Sequence, residues 1–480
     1  MNFQLRFHRS ISCLVSSCLL IAIEWQVANS CSGGQEPTSS PIVSNTTSQL
    51  RSPAEMYRPS VTPDRIILTW NGDPATTQSV TWRTSCEVQK GLAQLSLADP
   101  GPDLESEALS FESQMEDLST DLNMARYHSV TFRNLQSGTK YAYRVGDGVN
   151  WSEWFQFQTA SQTSEPFSFL YFGDAQNDLR SRWSRVIREA ARTAPRARFM
   201  IHAGDLINRA EADSEWGEWF GAGAWLNGMI PSLPVPGNHE QAGSAGNRRL
   251  SHHWRPQFTL PENGPAGLEE SCYTLTFQDL RIVGLNSNEK QEDQVQWLDR
   301  VLTENTSRWV ICTFHHPMFS TGKDRDNTAL RKLWKPVLDK HRVDLVLQGH
   351  DHTYGRTGLE TPTAEVSETV EANAASGLNK LQLYTGSVYV VSVSGPKMYG
   401  LQRHEFMPRQ AEDTQLYQVI HINGDELQFE AWMANGELYD AFTLRKNDGQ
   451  INTLIEQVPN VPERIRLPAV RQKAAAVFGK

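Results

Sequence analysis

The fold is decided by five polar loops: FGDAQ (172–176), AGDLIN (203–208), PGNHE (236–240), TFHHP (313–317) and QGHDH (348–352). Each loop follows a short run rich in β-branched or aromatic residues, as buried parallel strands are. The runs read FSFLYF, ARFMI, SLPV, RWVICTF and VDLVL. Loops that follow parallel strands gather beyond the carboxyl ends of those strands. We therefore expect a doubly wound α/β layer with a site where the five loops meet.

The loops would bring together side chains that offer only oxygen and imidazole nitrogen: Asp174, Asp205, Asn238, His315, His350 and His352. Such donors suit borderline divalent ions and hard iron, and no thiolate is among them. Six ligands are too many for one tetrahedral ion, so we predict two ions that share a carboxylate. Two ions about 3.5 to 4 Å apart can clamp the attacking and leaving oxygens of a phosphoryl group. The residues therefore predict a two-metal phosphoester hydrolase.

The ordered motifs also carry a family resemblance. The set G-D, G-D-x-x-N, G-N-H-E, x-x-H and G-H-x-H resembles that of the metallophosphoesterases, and most closely their purple acid phosphatase branch, over residues 58 to 445. The resemblance implies a four-layer αββα domain with two metal ions per chain. It assigns the first ion to Asp174 and His352 and the second to Asn238, His315 and His350.

The same resemblance implies the catalytic roles. It makes Asp205 the carboxylate that bridges the ions, with a bridging hydroxide as the nucleophile. His239 is not a ligand in that family. It would contact the phosphoryl group of the substrate or protonate the leaving alkoxide, which is general-acid catalysis.

The sequence departs from the family at the first ion. Asn208 stands where purple acid phosphatases have a tyrosine, and Gln176 stands where other metallophosphoesterases have a histidine. We include Asn208 among the predicted ligands, while Gln176 or water are alternatives. A tyrosinate helps to hold trivalent iron and produces the purple colour. Its absence favours two divalent ions, Fe, Zn or Mn, and a colourless enzyme.

Three functions fit these motifs. The first is hydrolysis of small phosphomonoesters, and the second is phosphodiesterase or nucleotidase activity at the same centre. The third is a surface binding protein whose metal site has decayed, which the changes at Asn208 and Gln176 suggest. A formal net charge of −10 argues against a nucleic-acid partner bound through a broad basic face.

The first 57 residues predict export. Residues 1–30 resemble a secretory signal, with an apolar run at 11–23 that is too short to span a bilayer and an A-x-S site at 28–30. An uncleaved anchor is the alternative. If the signal is cleaved, Cys31 directly follows the cut and is a candidate lipid attachment site. Residues 31–57 have the composition of a flexible linker. We expect a secreted or periplasmic protein without a membrane span.

Two folded domains are expected after this leader. Residues 58–160 contain short alternating strands typical of a β-sandwich, and the stretch LQSGTKYAYRVGDG resembles the fibronectin type III pattern. Its acidic segment at 100–121 is predicted to be a long inserted loop. Residues 165–446 form the expected metallophosphoesterase domain, with an insertion at 359–380. Residues 447–480 are predicted to be a loosely packed tail.

Helices are predicted from apolar spacing at residues 179–192, 213–227, 291–302 and 329–341. Asp213 is the expected N-cap of the second helix. Its three tryptophans are expected to pack mainly in the core. Cys86 and Cys272 could form a disulfide, although nothing around them requires one.

Other polar residues near the motifs are expected to be structural. His202 is predicted to be a hydrogen-bonded core residue, and His316 is predicted to point away from His315 along an extended backbone. For His252 and His253, the sequence leaves two possibilities: they line a pocket, or they pack elsewhere. Arg356 is expected to pair with an acidic neighbour rather than with a phosphate.

Overall fold

The N-terminal domain is a β-sandwich, seen in a computed structural model that describes residues 51–244, 246–361, 383–384 and 386–466. A helical turn, α1 (Pro53–Met56), precedes the sandwich, and Ser52 and Glu55 cap it reciprocally. The strands are β1 (Asp64–Thr69), β2 (Gln78–Thr84), β3 (Leu92–Leu97), β4 (Leu109–Glu112), β5 (Gln114–Ser119), β6 (Met124–Phe132), β7 (Lys140–Gly146) and β8 (Phe155–Gln158). They form two antiparallel sheets in the orders β1-β2-β6-β5 and β4-β3-β7-β8.

The prediction of a loop at residues 100–121 was wrong, because β4 and β5 lie within it. Both strands are at sheet edges, where β4 pairs with β3 and β5 pairs with β6. All but one of their residues are exposed or half-buried. The sequence therefore lacks the apolar alternation that marks a strand with one buried face, and its acidic side chains protect an open edge.

The second domain contains the remaining strands: β9 (Phe167–Phe172), β10 (Met200–His202), β11 (Ser232–Pro234), β12 (Gln241–Ala242), β13 (Arg249–Leu250), β14 (Tyr273–Phe277), β15 (Leu280–Gly284), β16 (Trp309–Phe314), β17 (Leu345–Gln348), β18 (Tyr354–Arg356), β19 (Glu360–Thr361), β20 (Leu383–Tyr384), β21 (Val388–Val391), β22 (Arg409–Ala411), β23 (Leu416–Asn423), β24 (Glu426–Met433), β25 (Leu438–Arg445) and β26 (Thr453–Glu456). Its helices are α2 (Ser184–Thr193), α3 (Asp213–Gly223), α4 (Trp254–Gln257), α5 (Asp293–Thr303) and α6 (Thr328–Lys340). A π-helical turn, Leu179–Trp183, leads into α2.

Two seven-stranded mixed sheets face each other in this domain. Their strand orders are β11-β10-β9-β23-β24-β25-β26 and β14-β15-β16-β17-β21-β18-β22. Alternate residues of the second sheet face different layers: Ile311 and Leu345 belong to the large central core, whereas Val310 and Val346 pack with α5 and α6. Helices α2 and α3 pack with the first sheet. The predicted arrangement, a fibronectin-like sandwich before an αββα domain, is confirmed.

A buried ion-pair cluster joins the sandwich to α3. The Arg65 guanidinium donates to both carboxylate oxygens of Asp213, at 2.7 and 3.0 Å, and Arg83 approaches the same carboxylate at 3.4 Å. The Arg65 and Asp213 side chains are 3% and 0% exposed, so the pair is shielded from water. Asp213 is the first residue of α3 but not its N-cap, which is Ala212. The predicted cap was wrong because this carboxylate bonds across the domain interface.

Several smaller predictions also have outcomes. Cys86 and Cys272 are both free thiols, and Cys272 is buried. Trp216 and Trp219 lie in the core, but Trp225 is 58% exposed. Part of the predicted loose tail is ordered, because β26 pairs with β25.

The predicted leader, linker and insertion are mostly outside the described residues. Residues 1–50 and 362–382 are not described, so the signal peptide, Cys31 and most of the insertion stay predictions. The strands that border the insertion, β19 and β20, pair with each other. In the described part of the chain, no helix has the length and apolarity needed to cross a membrane. The domain limits themselves also stay predictions.

We predict that Asp213→Ala lowers the free energy of unfolding by about 3 to 5 kcal/mol, because it leaves the buried Arg65 guanidinium without its carboxylate, whereas Arg83 keeps its pair with Asp64. Glu426→Ala is the matched control. It removes the acid of an exposed pair with Arg445, whose side chains are 53% and 49% exposed, and should cost less than about 1 kcal/mol. Urea unfolding followed by tryptophan fluorescence measures both values. Equal losses in the two variants would contradict a structural role for the buried pair.

Candidate metal centre

The five predicted loops meet at one edge of the two facing sheets. In the first sheet, β9, β10 and β11 are adjacent and parallel, and their carboxyl ends lead to Asp174, Asp205 and Asn238. In the second sheet, β16 and β17 are adjacent and parallel and lead to His315 and His350. The site is therefore built between two sheets, with each loop fixed by the strand before it.

One group of donor atoms surrounds Asn238. The Asn238 Oδ1 atom lies 2.8 Å from His350 Nδ1 and 3.1 Å from His315 Nε2. The two imidazole nitrogens are 3.2 Å apart, and His315 Nε2 is 3.3 Å from Asp205 Oδ2. Donor atoms bound to one ion at about 2.0 to 2.2 Å lie about 2.8 to 3.6 Å from each other in octahedral or tetrahedral geometry. These four side chains therefore have the spacing of one coordination shell.

A second group lies beside Asp174. Its Oδ1 atom is 3.5 Å from His352 Nε2, is buried, and has no hydrogen-bond partner in the described structure. Gln176 Nε2 is 3.1 Å from the same imidazole nitrogen and 2.9 Å from Asp205 Oδ2. Asp205 thus belongs to both groups. A buried carboxylate oxygen without a donor, next to nitrogen lone pairs, fits a site for a cation.

Backbone carbonyls orient two of the histidines. His315 Nδ1 donates to the Ala203 carbonyl at 2.9 Å, and His352 Nδ1 donates to the Lys397 carbonyl at 2.7 Å. A carbonyl oxygen only accepts, so the proton of each neutral ring is on Nδ1 and the Nε2 lone pair faces the site. Outer contacts of this kind are typical of metal-bound histidines.

The backbone of the loops is held in an uncommon conformation. Asp174, Asp205 and His350 have φ angles of 40°, 51° and 71°, in the left-handed region that non-glycine residues rarely adopt. Residues held there are concentrated at functional sites, where the surrounding structure overcomes the strain. The Asp174 carboxylate contributes to this restraint, because its Oδ2 accepts from the His350 N–H at 2.6 Å.

Glu240 holds two of the loops together. Its carboxylate accepts from the backbone N–H groups of Asp205 at 2.9 Å, Leu206 at 2.8 Å, Ile207 at 3.3 Å and Gly237 at 2.6 Å. Burial and the nearby Asp205 charge raise the pKa of Glu240 to about 7, although the N–H donors favour the anion. We did not predict this role from the sequence. The signal was the glutamate at the end of the PGNHE motif.

The site concentrates opposite charges away from water. Burial opposes protonation of His315, but the charges of Asp205 and Asp174 outweigh burial and raise the pKa of the ring to about 10. Burial raises the pKa of Asp174 well above its usual value. Burial also opposes ionisation of Asp205, but His315 and His239 keep its pKa well below the usual range.

Two predicted site residues, His239 and Asn208, lie outside the two groups of donor atoms. The backbone N–H of His239 donates to Asp205 Oδ1 at 2.9 Å, and its Nε2 lies 4.0 Å from Asp205 Oδ2. The His239 Nδ1 donates to the backbone carbonyl of Asn208 at 2.6 Å. Within the described residues, the Asn208 side chain makes no hydrogen bond to the predicted ligands. Its carbonyl positions His239 instead.

The remaining histidines differ in their relation to the site. The prediction that His316 points away was wrong, because its ring lies 4.5 Å from that of His350 between centroids, and Ser287 Oγ contacts its Nδ1 at 2.9 Å. His202 is buried in the core, but neither of its ring nitrogens has a hydrogen-bond partner among the described residues, contrary to prediction. His252 is exposed, whereas His253 is buried against Asp213.

Arg356 is structural, as expected. It is 0% exposed and binds the carboxylates of Asp440 and Glu456, which connects β18 to β25 and β26. It is therefore not available to a phosphate.

A polar cleft of about 550 Å³ opens at His316, whose ring lies against that of the predicted ligand His350. It is lined by Gln241, Arg248, Ser287, Asn288, His316 and Asn327, among others. Its other lining residues are Gly246, Glu289 and Gln291, so none of the described residues that line it is Phe, Trp or Tyr. A small hydrophilic molecule fits such a surface better than a flat aromatic ring does.

The chain is similar to known phosphoesterases over most of its described length. Residues 167–354 match the family described as calcineurin-like phosphoesterase, and residues 63–159 match the purple acid phosphatase N-terminal domain. Acid phosphatase type 7 of Mus musculus is 28% identical over 62% of this chain and 71% of its own length. Purple acid phosphatase of Glycine max is 24% identical over 59% of this chain and 62% of its own length.

Solved structures share the fold. The purple acid phosphatase PPD1 from yellow lupin superposes with a TM-score of 0.65 at 14% identity, over 80% of this chain and 75% of the lupin chain. PhoD superposes with a TM-score of 0.59 at 10% identity, over 85% of this chain and 94% of its own. At these identities, the likeness concerns the fold alone.

We predict that Glu240→Gln lowers the free energy of unfolding by about 2 to 4 kcal/mol and reduces bound metal. An amide nitrogen would face N–H donors that require an acceptor, leaving buried N–H groups unpaired. Glu269→Gln is the control, because this carboxylate is exposed and accepts the Gly267 N–H at 2.8 Å near the surface. Urea unfolding and elemental analysis test both variants. Unchanged stability and metal content in Glu240→Gln would show that the two loops do not depend on this carboxylate.

Proposed function

The chain belongs to the metallophosphoesterase superfamily, with the two-domain arrangement of its purple acid phosphatase branch, and we propose that it hydrolyses phosphomonoesters with two metal ions. The observation that carries this proposal is the pair of donor groups that share Asp205. Each group has ligand-to-ligand spacings of one coordination shell.

The donor sets define two sites. The first site would be held by Asp174, Asp205 and His352, and the second by Asp205, Asn238, His315 and His350. These oxygen and nitrogen donors suit divalent Fe, Zn or Mn. Such ions would supply Lewis-acid neutralisation of the phosphoryl oxygens and a bound water of lowered pKa.

Charge favours a phosphomonoester as the substrate. Two divalent ions with the two carboxylates Asp174 and Asp205 leave two positive charges at the centre. A phosphomonoester carries close to two negative charges at neutral pH, whereas a phosphodiester carries one. The polar cleft beside His316 would receive the alcohol part of a small hydrophilic ester.

His239 is positioned to act on the substrate. Its Nδ1 proton is engaged by the Asn208 carbonyl, so Nε2 is the nitrogen directed toward the centre. In the protonated ring, Nε2–H would donate to a phosphoryl oxygen or to the leaving alkoxide. The hydrogen bond from its backbone N–H to Asp205 fixes the distance between this ring and the shared carboxylate.

The proposed location is outside the cytoplasm, either secreted or in a periplasm. It rests on the signal-like residues 1–30, which include Arg6, Arg9 and the apolar run at 11–23. Secretion or delivery to a periplasm would place the enzyme where extracellular phosphoesters are available.

We predict that His315→Ala and Asp205→Ala each reduce phosphomonoester turnover by at least 10³-fold, or about 4 kcal/mol of transition-state stabilisation. Each change removes a ligand that holds the second ion. His421→Ala is the control, because that ring is 42% exposed and contacts Glu430. Hydrolysis of an aryl phosphate and elemental analysis should be measured together, with and without a chelator. Retained turnover in metal-replete Asp205→Ala would refute the two-metal assignment.

Substrate class is tested on the same preparation. Rates on a monoester such as glycerol phosphate and on a bis-aryl phosphodiester should be compared at saturating metal. A higher kcat/KM for the monoester is expected from the charge argument. A higher value for the diester would favour the phosphodiesterase alternative, and two bound metals without turnover on either would favour the binding protein.

We predict that His239→Ala retains two ions but lowers kcat by about 10²- to 10⁴-fold. If the ring protonates the leaving alkoxide, the loss should be larger for alkyl phosphates than for aryl phosphates, whose leaving groups need no proton. Equal losses would instead assign the ring to the phosphoryl oxygens. A fall in metal content would contradict both roles, because neither makes His239 a ligand.

A further inference from the structure

We infer that Gln176 completes the shell of the first ion with its carboxamide oxygen, a neutral ligand in place of the tyrosinate or histidine of related enzymes. The inference rests on the proposed function, because it concerns the first of the two proposed sites. The sequence left three alternatives for this position, Asn208, Gln176 and water, and the structure distinguishes the two side chains.

The first step is the placement of the Gln176 side chain. It is 0% exposed, and its terminal nitrogen lies 2.9 Å from Asp205 Oδ2 and 3.1 Å from His352 Nε2. Both of those atoms are predicted ligands of the first ion. Neighbouring donors in one shell lie about 3.0 Å apart, so the end of the carboxamide occupies a ligand position.

The second step concerns the orientation of the amide. The Gln176 Oε1 atom is buried and has no hydrogen-bond partner among the described residues. The oxygen of the carboxamide is therefore not held in place by a hydrogen bond. A half-turn about the last side-chain bond exchanges oxygen and nitrogen, which have nearly the same shape. With a cation at the site, the end that carries the lone pairs is the one that binds.

The third step is that the main chain fixes Gln176 at this place. Its backbone N–H donates to the Asp205 carbonyl at 3.0 Å, and the Gly395 N–H donates to the Asp174 carbonyl at 2.7 Å. Gly395 has no room for a side chain, since an added Cβ would lie 2.5 Å from the Asp174 carbonyl oxygen and 2.7 Å from that of Gln176. The loop that carries Asp174 and Gln176 is thus packed directly against the backbone of Gly395.

Asn208 lacks these features. Its backbone N–H donates to Glu215 Oε2 at 2.7 Å, and its carbonyl accepts from His239. The residue is half-buried, and in the described structure its side chain makes no hydrogen bond to Asp174, Asp205 or His352. Its backbone serves α3 and His239, so an alanine there would keep both contacts.

The chemical consequence is a first site of lower negative charge. An amide oxygen is a hard but neutral donor, whereas a tyrosinate is anionic and stabilises trivalent iron. The first ion would therefore be divalent, and it would exchange more readily than the second ion. Without a tyrosinate, the iron-loaded protein would lack the intense visible charge-transfer band.

The experiment measures metal affinity rather than activity. Wild type, Gln176→Ala, Gln176→Glu and Asn208→Ala are stripped of metal and titrated with Zn²⁺ and Mn²⁺ against a chelating indicator, which resolves the two binding steps. In Gln176→Ala, we expect the weaker step to lose about 10- to 100-fold in affinity while the tighter step is unchanged. In Gln176→Glu, an anionic oxygen at the same place should strengthen the weaker step, and Asn208→Ala should match wild type.

A second variant connects the effect to the first site. His352→Ala alone should remove the weaker step, and adding Gln176→Ala to it should cause no further loss. Unfolding curves of the apo proteins identify any variant that fails to fold, and Gln176→Glu keeps a side chain of the same length.

The outcomes are distinct. Unchanged binding in Gln176→Ala would overturn the inference, and so would a loss in Asn208→Ala equal to that in Gln176→Ala. An intense visible band in the iron-loaded wild type, lost on reduction, would also overturn it. If wild type binds only one ion or none, the proposed two-metal function fails instead, before any variant is compared.

Discussion

The constraint behind this structure is the burial of two carboxylates beside several imidazoles. Asp174 and Asp205 are both essentially unexposed, and each costs free energy to bury as an anion. Only a cation or well-placed donors can offset that cost. Much of the domain is arranged to bring the donors there: parallel strands end at one edge, three loop residues accept left-handed backbone angles, and Glu240 binds two loops through four N–H groups.

The rest of the chain supplies rigidity to this edge. The second sheet presents Ile311 and Leu345 to the central core and Val310 and Val346 to α5 and α6, so β16 and β17 are packed on both faces. On the other side, Arg65 of the sandwich binds Asp213 at the beginning of α3. Because the AGDLIN loop leads into α3, the sandwich helps to hold the loop that carries Asp205. A small N-terminal domain can therefore influence a site that it does not line.

Sequence reasoning was strongest where position in the chain determines position in space. A polar residue just after a buried parallel strand must lie at the carboxyl edge, which is why six predicted ligands come together. Sequence reasoning was weaker where contacts between distant segments determine the structure of a residue. The edge strands β4 and β5 lack a buried face, Asp213 bonds to Arg65 rather than to its own helix, and His316 turns toward His350. The choice between Gln176 and Asn208 is of the same kind, since their spacing from the motifs gives no indication of which side chain reaches His352.

The proposed amide ligand would also preserve the net charge of the metal centre that the family pattern implies. In the family pattern, a trivalent and a divalent ion are opposed by two carboxylates and one tyrosinate, which leaves two positive charges. With Gln176 in place of the anion, two divalent ions would be opposed by the carboxylates of Asp174 and Asp205 alone, which would again leave two positive charges. The charge that faces a phosphomonoester dianion is thus unchanged, although one ligand and one ion are both less charged. Under the proposal, an amide in place of the tyrosinate would change which metals bind and how readily the first exchanges, and it would preserve the electrostatic basis for hydrolysis.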